Sequence, residues 1–327
     1  MNLLVNGKRR VVLAAALGMA ALLASCGGGD PVVAFVPTRV LAFGDENSVL
    51  TSEGRKFTIN SLTTDANNAK SLDCSTQGIW TQRLASSYGL VFPECNPLAV
   101  SDPRSRIFAA PGAKVVDLVD QVDQHLGTDT FSSTDLVTLF VGQNDVFDQY
   151  AQYPGVPKDQ LLASVYASGQ LLALQVTRIA TAGGKVLVST VPDLGFTPFA
   201  LNENLNTGDV SRASLLSELV AKFNEGLRVG IAKESGSKVA IMLTDELVQA
   251  MAKFPATYAN MINVTEPACD ITQAPTVDQC TTDTLVTGTA GAATVTNYLW
   301  ADDKHLSPNG HAYVGALAAS RSRANPF

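Results

Sequence analysis

The sequence has few basic residues and few histidines for its length. Of 327 residues, 23 are lysine or arginine, 30 are aspartate or glutamate and three are histidine, for a formal net charge of −7. Nucleic-acid-binding proteins need a basic surface that neutralises phosphates. An acidic chain without such a surface is not expected to bind nucleic acid.

The sequence also lacks the spacing of a zinc site. It contains five cysteines but no Cys-x-x-Cys pair, and the histidines are not spaced as ligands beside cysteines. No bound metal is therefore expected.

The N-terminal apolar run is too short to span a bilayer comfortably. It covers residues 11–24 and follows Lys8, Arg9 and Arg10, whereas a spanning helix needs about 20 apolar residues. Basic residues before a short apolar run are typical of a secretory signal. We predict a signal peptide over residues 1–25.

The end of this signal resembles a bacterial lipobox, Leu-Ala-Ser-Cys, in which Cys26 would be lipidated and become the new N-terminus. Residues 26–37 would then form a flexible tether to the membrane. Glycine rather than an acid at position 27 favours the outer membrane over the inner one. The alternative is an ordinary signal peptide with an incidental cysteine. Either way the chain is expected at the cell envelope.

Four further cysteines lie in an exported and oxidising setting, Cys74, Cys95, Cys269 and Cys280. Three pairings are possible. We favour Cys74 with Cys95 and Cys269 with Cys280, because each pair lies within one polar segment and would close it locally. Free thiols and a crossed pairing remain the alternatives.

The rest of the chain alternates short apolar runs with helical patterns, which predicts one α/β domain over residues 38–327. The pattern implies a three-layer α/β/α sandwich around a largely parallel five-stranded sheet. Polar stretches near residues 51–105 and 254–297 are predicted as loop insertions over the strand ends. The predicted strands are 40–43, the short one from 106, 134–141, 185–191 and 238–243, and the predicted helices 79–88, one from about 115, 158–182, 211–233 and 312–322.

Four short motifs, in order, resemble those of the GDSL or SGNH hydrolases. The first is Phe43-Gly-Asp-Glu46, after an apolar run, where the family carries its nucleophilic serine directly after the aspartate. Pro-Gly112 and Gly-Gln-Asn144-Asp match the blocks that supply the two oxyanion donors. Asp302-x-x-His305 precedes the last helix and matches the block that supplies the acid and base.

The resemblance implies a flavodoxin-like sheet and the hydrolysis of ester bonds in lipids, acylated sugars or small carboxylic esters, with no cofactor. It assigns the oxyanion donors to Gly112 and Asn144, the base to His305 and its orienting acid to Asp302. The nucleophile position is Glu46, which has no hydroxyl.

The glutamate also opposes the reaction electrostatically. Two like charges about 4 Å apart repel by roughly 4 kcal/mol at an effective dielectric constant near 20, which corresponds to about a thousandfold in rate.

Three hypotheses for the function of the site follow. Glu46 and His305 together activate water, or Glu46 itself attacks the ester. Ser48 serves as a displaced nucleophile. Or the chain is a catalytically impaired surface lipoprotein that binds a ligand, with His305 paired to Glu46. We retain ester hydrolysis as the expected function.

Overall fold

A computed structural model of the chain describes residues 35–288 and 291–324, except for the side chains of 233–235. These residues belong to one compact unit that begins at Phe35. The predicted signal peptide and Cys26 lie outside the described residues. Within these two ranges, every helix is too short or too polar to cross a membrane.

Helices and strands alternate along most of the described chain. The strands are β1 Arg39–Gly44, β2 Ser61–Thr64, β3 Lys70–Asp73, β4 Arg106–Ile107, β5 Asp135–Phe140, β6 Lys185–Ser189, β7 Val239–Met242, β8 Asn263–Pro267, β9 Thr287–Gly288, β10 Gly291–Ala292 and β11 Tyr298–Trp300. The α-helices are α1 Trp80–Ser86, α2 Asp117–Leu126, α3 Gln143–Tyr150, α4 Lys158–Thr181, α5 Pro198–Thr207, α6 Arg212–Gly230, α7 Thr244–Lys253 and α8 Pro308–Arg323.

The central sheet has five strands in the order β4-β1-β5-β6-β7, and every neighbouring pair is parallel. Numbered within the sheet, this order is 2-1-3-4-5, that of the flavodoxin-like doubly wound folds. The predicted three-layer α/β architecture is confirmed.

Both faces of the sheet are buried under helices. Because successive side chains of a strand point to opposite faces, Leu41 and Phe43 of β1 pack in the cluster formed with α2, α4 and α6. Val40 and Ala42 pack in the cluster formed with α1, α7 and α8. Burial on both faces explains why β1 appears in the sequence as an uninterrupted apolar run.

Three helices, α3, α5 and α7, were not expected from the sequence. Helix α3 begins directly after Gly142, so the Gly-Gln-Asn-Asp motif is its first turn rather than a loop. The last helix also starts earlier than the predicted residue 312. The hydroxyl of Ser307 accepts a hydrogen bond from the N–H of Gly310, and Pro308 occupies the first helical position. Both are strong signals of a helix N-terminus.

The two polar stretches contain more regular structure than the predicted loops. Besides the predicted helix α1, the first holds the antiparallel pair β2 and β3. The second holds β8, which pairs in parallel with β11, and the short hairpin of β9 and β10. The structure has the favoured disulfides, Cys74–Cys95 and Cys269–Cys280, one in each stretch.

Candidate active site

The candidate site lies where the strand order of the sheet reverses. Strands β4 and β5 flank β1 on its two sides, and the carboxyl ends of all three reach the same edge of the sheet. In open α/β sheets, ligands bind at this switch point. Glu46 follows β1, Gly112 follows β4 and Asn144 lies in the first turn after β5, whereas His305 comes from the turn before α8.

A sharp turn after β1 places Glu46 at this edge. Gly44 has a φ of 128°, and a Cβ atom there would lie 1.9 Å from the carbonyl oxygen of Phe140. Only glycine fits this position. The Asp45 carboxylate then accepts a hydrogen bond from the N–H of Asn47 at 3.0 Å and caps the short 3-10 turn over Glu46–Ser48.

The Glu46 carboxylate contacts three of the residues that the sequence singled out. Its Oε2 accepts hydrogen bonds from the N–H of Gly112 at 2.8 Å and from Nδ2 of Asn144 at 3.0 Å. Its Oε1 lies 3.3 Å from Nε2 of His305. The donors that the resemblance assigns to an oxyanion thus hold a side-chain carboxylate, which is itself almost completely buried.

His305 lies between two carboxylates. Its Nδ1 is 2.8 Å from Oδ2 of Asp302, and its Nε2 faces Glu46. Asp302 is held in turn by the backbone N–H groups of Lys304 at 2.9 Å and of His305 at 2.6 Å. Since each ring nitrogen faces a carboxylate acceptor, the geometry favours the imidazolium with a proton on both nitrogens.

The pKa shifts follow from this arrangement. Burial alone would lower the pKa of His305, but the charges and hydrogen bonds of Asp302 and Glu46 outweigh it and raise the pKa to about 10. Burial alone would raise the pKa values of Glu46 and Asp302, but contact with His305 lowers both. Around neutral pH the three side chains therefore form an anion–cation–anion row.

The His305 pKa predicts how the stability of the protein depends on pH. The pKa of His305 in the folded protein lies above its unfolded value near 6.5. The stabilisation that the charged His305 contributes is therefore fully present below pH 6.5 and is lost as pH rises through about 10. We expect a loss of about 4 kcal/mol across this window. The measurement is the difference in unfolding free energy between the wild type and His305→Gln. Burial lowers the pKa of Lys56 to about 8, so this lysine titrates in the same pH window. Its contribution is the same in both proteins and cancels in the difference. A difference that stays constant from pH 6 to 10 would contradict the charged row.

One residue that positions the site was not singled out from the sequence. Oδ2 of Asp145 accepts a hydrogen bond from the N–H of Val115 at 3.0 Å, which ties the first turn of α3 to the loop that carries Gly112. Asn144 adds a second tie, since its Nδ2 also contacts the carbonyl oxygen of Ala113 at 3.1 Å. The aspartate that ends the Gly-x-Asn-Asp motif was the available signal.

Ser48 is not brought to the site. Its side chain is fully buried and its hydroxyl has no hydrogen-bond partner among the described residues, His305 included. It lies inside the 3-10 turn, two residues beyond Glu46, so its side chain points away from the cleft. The structure gives no support to Ser48 as a displaced nucleophile.

A cleft of about 700 Å³ opens above the site. The second polar stretch forms one wall of this cleft through the segment closed by Cys269 and Cys280, and Phe57 of the first stretch packs against this segment and also lines the cleft. The lining residues are Glu46, Phe57, Pro111, Gly112, Asn202, Pro267, Cys269, Ile271, Ala274, Pro275, Thr276, Val277, Asp278, Asp302, Asp303 and His305. Among the described residues, no group of three or more acidic, histidine or cysteine side chains is placed to hold a metal ion.

A comparison with protein families matches residues 40–318 to the model of the GDSL-like lipase/acylhydrolases. This chain belongs to that family. The match covers all the elements that carry the candidate site, from β1 to most of α8. Ester hydrolysis is thus the reaction of the family in which this GDSL-like chain is placed. A comparison with curated protein sequences finds no match.

Solved structures similar to this GDSL-like chain include three hydrolases. A lipolytic protein of the G-D-S-L family from Veillonella parvula is 12% identical, with 86% of this chain and 96% of that chain covered and a TM-score of 0.41. An acetyl xylan esterase is 15% identical, with coverages of 86% and 98% and a TM-score of 0.42. A catalytic mutant of an acetylxylan esterase from Geobacillus stearothermophilus is 15% identical, with coverages of 88% and 95% and a TM-score of 0.42.

Proposed function

We propose that this protein hydrolyses carboxylic esters at the cell envelope, with the Glu46 carboxylate in the place of the serine nucleophile. The observation that supports the proposal is the unbroken row of contacts from Asp302 through His305 to Glu46, with Gly112 and Asn144 as donors at its end. The substrate would be a lipid, an acylated sugar or a small carboxylic ester that fits the cleft.

The number of transferable protons in the site is compatible with attack by the Glu46 carboxylate. A serine hydroxyl with a neutral histidine holds one transferable proton, and so does an ionised Glu46 beside a protonated His305. A carboxylate nucleophile needs no base, because it is already deprotonated. The pKa of about 10 at His305 suits a general acid that protonates the leaving alkoxide.

The reaction would proceed in two steps. An oxygen of Glu46 attacks the ester carbonyl carbon, the ester C–O bond breaks, and the alcohol leaves with the proton of His305. Water, deprotonated by the now neutral His305, then opens the acyl anhydride and releases the acid. In the first step the substrate oxygen must replace Oε2 of Glu46 at the donors Gly112 and Asn144. This exchange costs hydrogen bonds, and turnover is therefore expected to be slow.

The test is hydrolysis of a panel of p-nitrophenyl esters from acetate to decanoate by the mature protein. We expect slow turnover in the wild type and its loss in Glu46→Gln, which keeps the shape of the side chain but cannot attack. Hydroxylamine should trap the acyl group during turnover, since it cleaves anhydrides. Turnover that Glu46→Gln leaves unchanged would overturn the carboxylate route.

A second candidate function is ligand binding without turnover. The observation that favours it is that Oε2 of Glu46 occupies both donors, Gly112 and Asn144, in the structure. A protein of this kind would hold an ester or a related neutral ligand in the cleft at the cell surface. Wild-type protein that binds such ligands but hydrolyses no ester of the panel would support it over the first proposal.

We further propose that lipidation of Cys26 anchors the protein in the membrane, through a tether over residues 26–37. The change that tests this is Cys26→Ala in the full-length chain. The wild type is expected in the membrane fraction and Cys26→Ala in the soluble envelope fraction, because burial of acyl chains contributes about 0.8 kcal/mol for each CH₂ group. Equal recovery of both proteins in the membrane fraction would argue against the anchor.

A further inference from the structure

The segment between Cys269 and Cys280 forms an apolar wall of the cleft. Four of its side chains line the cavity with carbon surface, those of Ile271, Ala274, Pro275 and Val277. Ile271 is 69% exposed to solvent, although the disulfide and the turn held by Asp270 keep its backbone in place. An apolar wall beside a few polar groups is typical of a site for the apolar part of a small ligand.

Four carboxylates line the same cleft, whereas no lysine or arginine does. Two of them, Glu46 and Asp302, are paired with His305. The other two, Asp278 and Asp303, form no ion pair among the described residues. The cleft therefore presents excess negative charge to any ligand that enters it.

The nearest cations compensate for this charge only in part, since burial and the Asp302 charge raise the pKa of Asp303 and the Lys304 charge offsets some of this rise. The Lys304 ammonium group lies over the rings of Phe147 and Phe199, at 5.1 and 4.8 Å from their centroids. The Arg55 guanidinium donates to the backbone carbonyl oxygen of Asp278 at 3.1 Å. Neither group lines the cavity, so a carboxylate or phosphate on a ligand would find no cationic partner apart from His305.

We propose that this cleft selects its substrate by charge and shape: it accepts an ester with an uncharged aliphatic acyl group and excludes esters with an anionic group near the ester bond. The apolar wall over residues 271–277 contacts the acyl chain, and Asp278 and Asp303 repel anions. Selective hydrolysis rests on the proposed function. Selective binding depends only on the residues that line the cleft. Like charges about 7 Å apart at an effective dielectric constant near 20 lower affinity by about tenfold or more.

The experiment compares two esters that differ in charge, 4-carbamoylphenyl butyrate and 4-carboxyphenyl butyrate. Each kcat/KM is divided by the rate of hydroxide hydrolysis of the same ester. We expect the neutral ester to be favoured by about tenfold or more in the wild type, and by about twofold in the double variant Asp278→Asn, Asp303→Asn. The matched control is Asp102→Asn, an exposed acid before β4 that does not line the cleft. It should leave the preference unchanged.

A binding experiment separates this inference from the proposed function. The probes are the ketones 4-(2-oxopentyl)benzamide and 4-(2-oxopentyl)benzoate, in which CH₂ replaces the ester oxygen, titrated calorimetrically into the wild type and the same variants. Tighter binding of the neutral ketone without ester turnover would support the selection and overturn the hydrolase proposal. Ester turnover with equal preference for both charges would overturn the selection alone.

The wall has its own test in Ile271→Ser, an exposed position where the fold should tolerate the change. We expect this variant to weaken binding of 4-(2-oxopentyl)benzamide about threefold, because apolar contact area is lost. Binding of the shorter 4-(2-oxopropyl)benzamide should change less. Equal effects on the two ketones would show that the acyl chain does not lie against the wall.

Discussion

Replacement of Glu46 by serine is expected to raise the kcat/KM for short p-nitrophenyl esters about a thousandfold. Serine supplies the hydroxyl that the family uses and frees the donors of Gly112 and Asn144 for the substrate oxygen. It also removes one of the two anions that raise the His305 pKa. The imidazole would then be available as a base nearer neutral pH. The like-charge repulsion of roughly 4 kcal/mol near the reacting oxygen disappears with the carboxylate, which corresponds to about a thousandfold in rate for a variant that also carries a nucleophile.

The matched control is Glu46→Ala, which frees the same donors without adding a nucleophile. The kcat/KM of Glu46→Ala should show no comparable gain. The comparison therefore separates the effect of the added hydroxyl from the effect of removing the charge. The pH profile offers a second check, since Glu46→Ser should gain activity as pH rises through the lowered His305 pKa. A folded Glu46→Ser protein as slow as the wild type would show that removing the carboxylate and restoring the hydroxyl are not enough.

His305→Ala is expected to abolish ester hydrolysis and to lower the unfolding free energy by about 3–5 kcal/mol. The side chains of Glu46 and Asp302 are 7% and 18% exposed and share His305 as their cation. Removing one partner of a buried ion pair leaves uncompensated buried charge, which accounts for a cost of this size. Chemical denaturation at pH 6.5, where His305 is fully charged, gives the measurement.

The double variant Glu46→Gln, His305→Ala provides the control for this second prediction. It removes one carboxylate together with the cation, so the loss of stability should be clearly smaller than in His305→Ala alone. If the single variant is as stable as the wild type, the ion row does not exist in solution. If ester turnover persists without His305, the proposed acid–base role is wrong.

The architecture could be predicted from the sequence because its signals are local. The apolar run before Gly44 and the run over residues 135–140 are buried on both faces of the sheet and appear as uninterrupted strands. Helix α4, which has a long apolar periodicity, was predicted within a residue of its ends. Two of the three helices that were missed, α3 and α5, are short and follow glycine- and proline-containing turns, where local patterns also predict loops.

The contacts between distant turns were harder to predict. The motif order indicated that Glu46, Gly112, Asn144 and His305 would meet, but not which atoms touch. In the structure, Oε2 of Glu46 accepts hydrogen bonds from Gly112 and Asn144, and Oε1 faces His305. This arrangement depends on side-chain rotamers in the folded protein. The acidic, apolar character of the cleft likewise depends on which side of the segment between Cys269 and Cys280 faces the site.

The sequence by itself determined the alternating α/β pattern, the family motifs and the absence of the serine, since each of these is written in short stretches of neighbouring residues. Only the tertiary structure decided the state of the site, in which the Glu46 carboxylate accepts hydrogen bonds from Gly112 and Asn144 and lies beside a protonated histidine. The physical reason is that a hydrogen bond and a pKa shift depend on distances of a few ångströms between residues up to 259 positions apart in the chain. Those distances exist only once the sheet has brought the ends of its strands together.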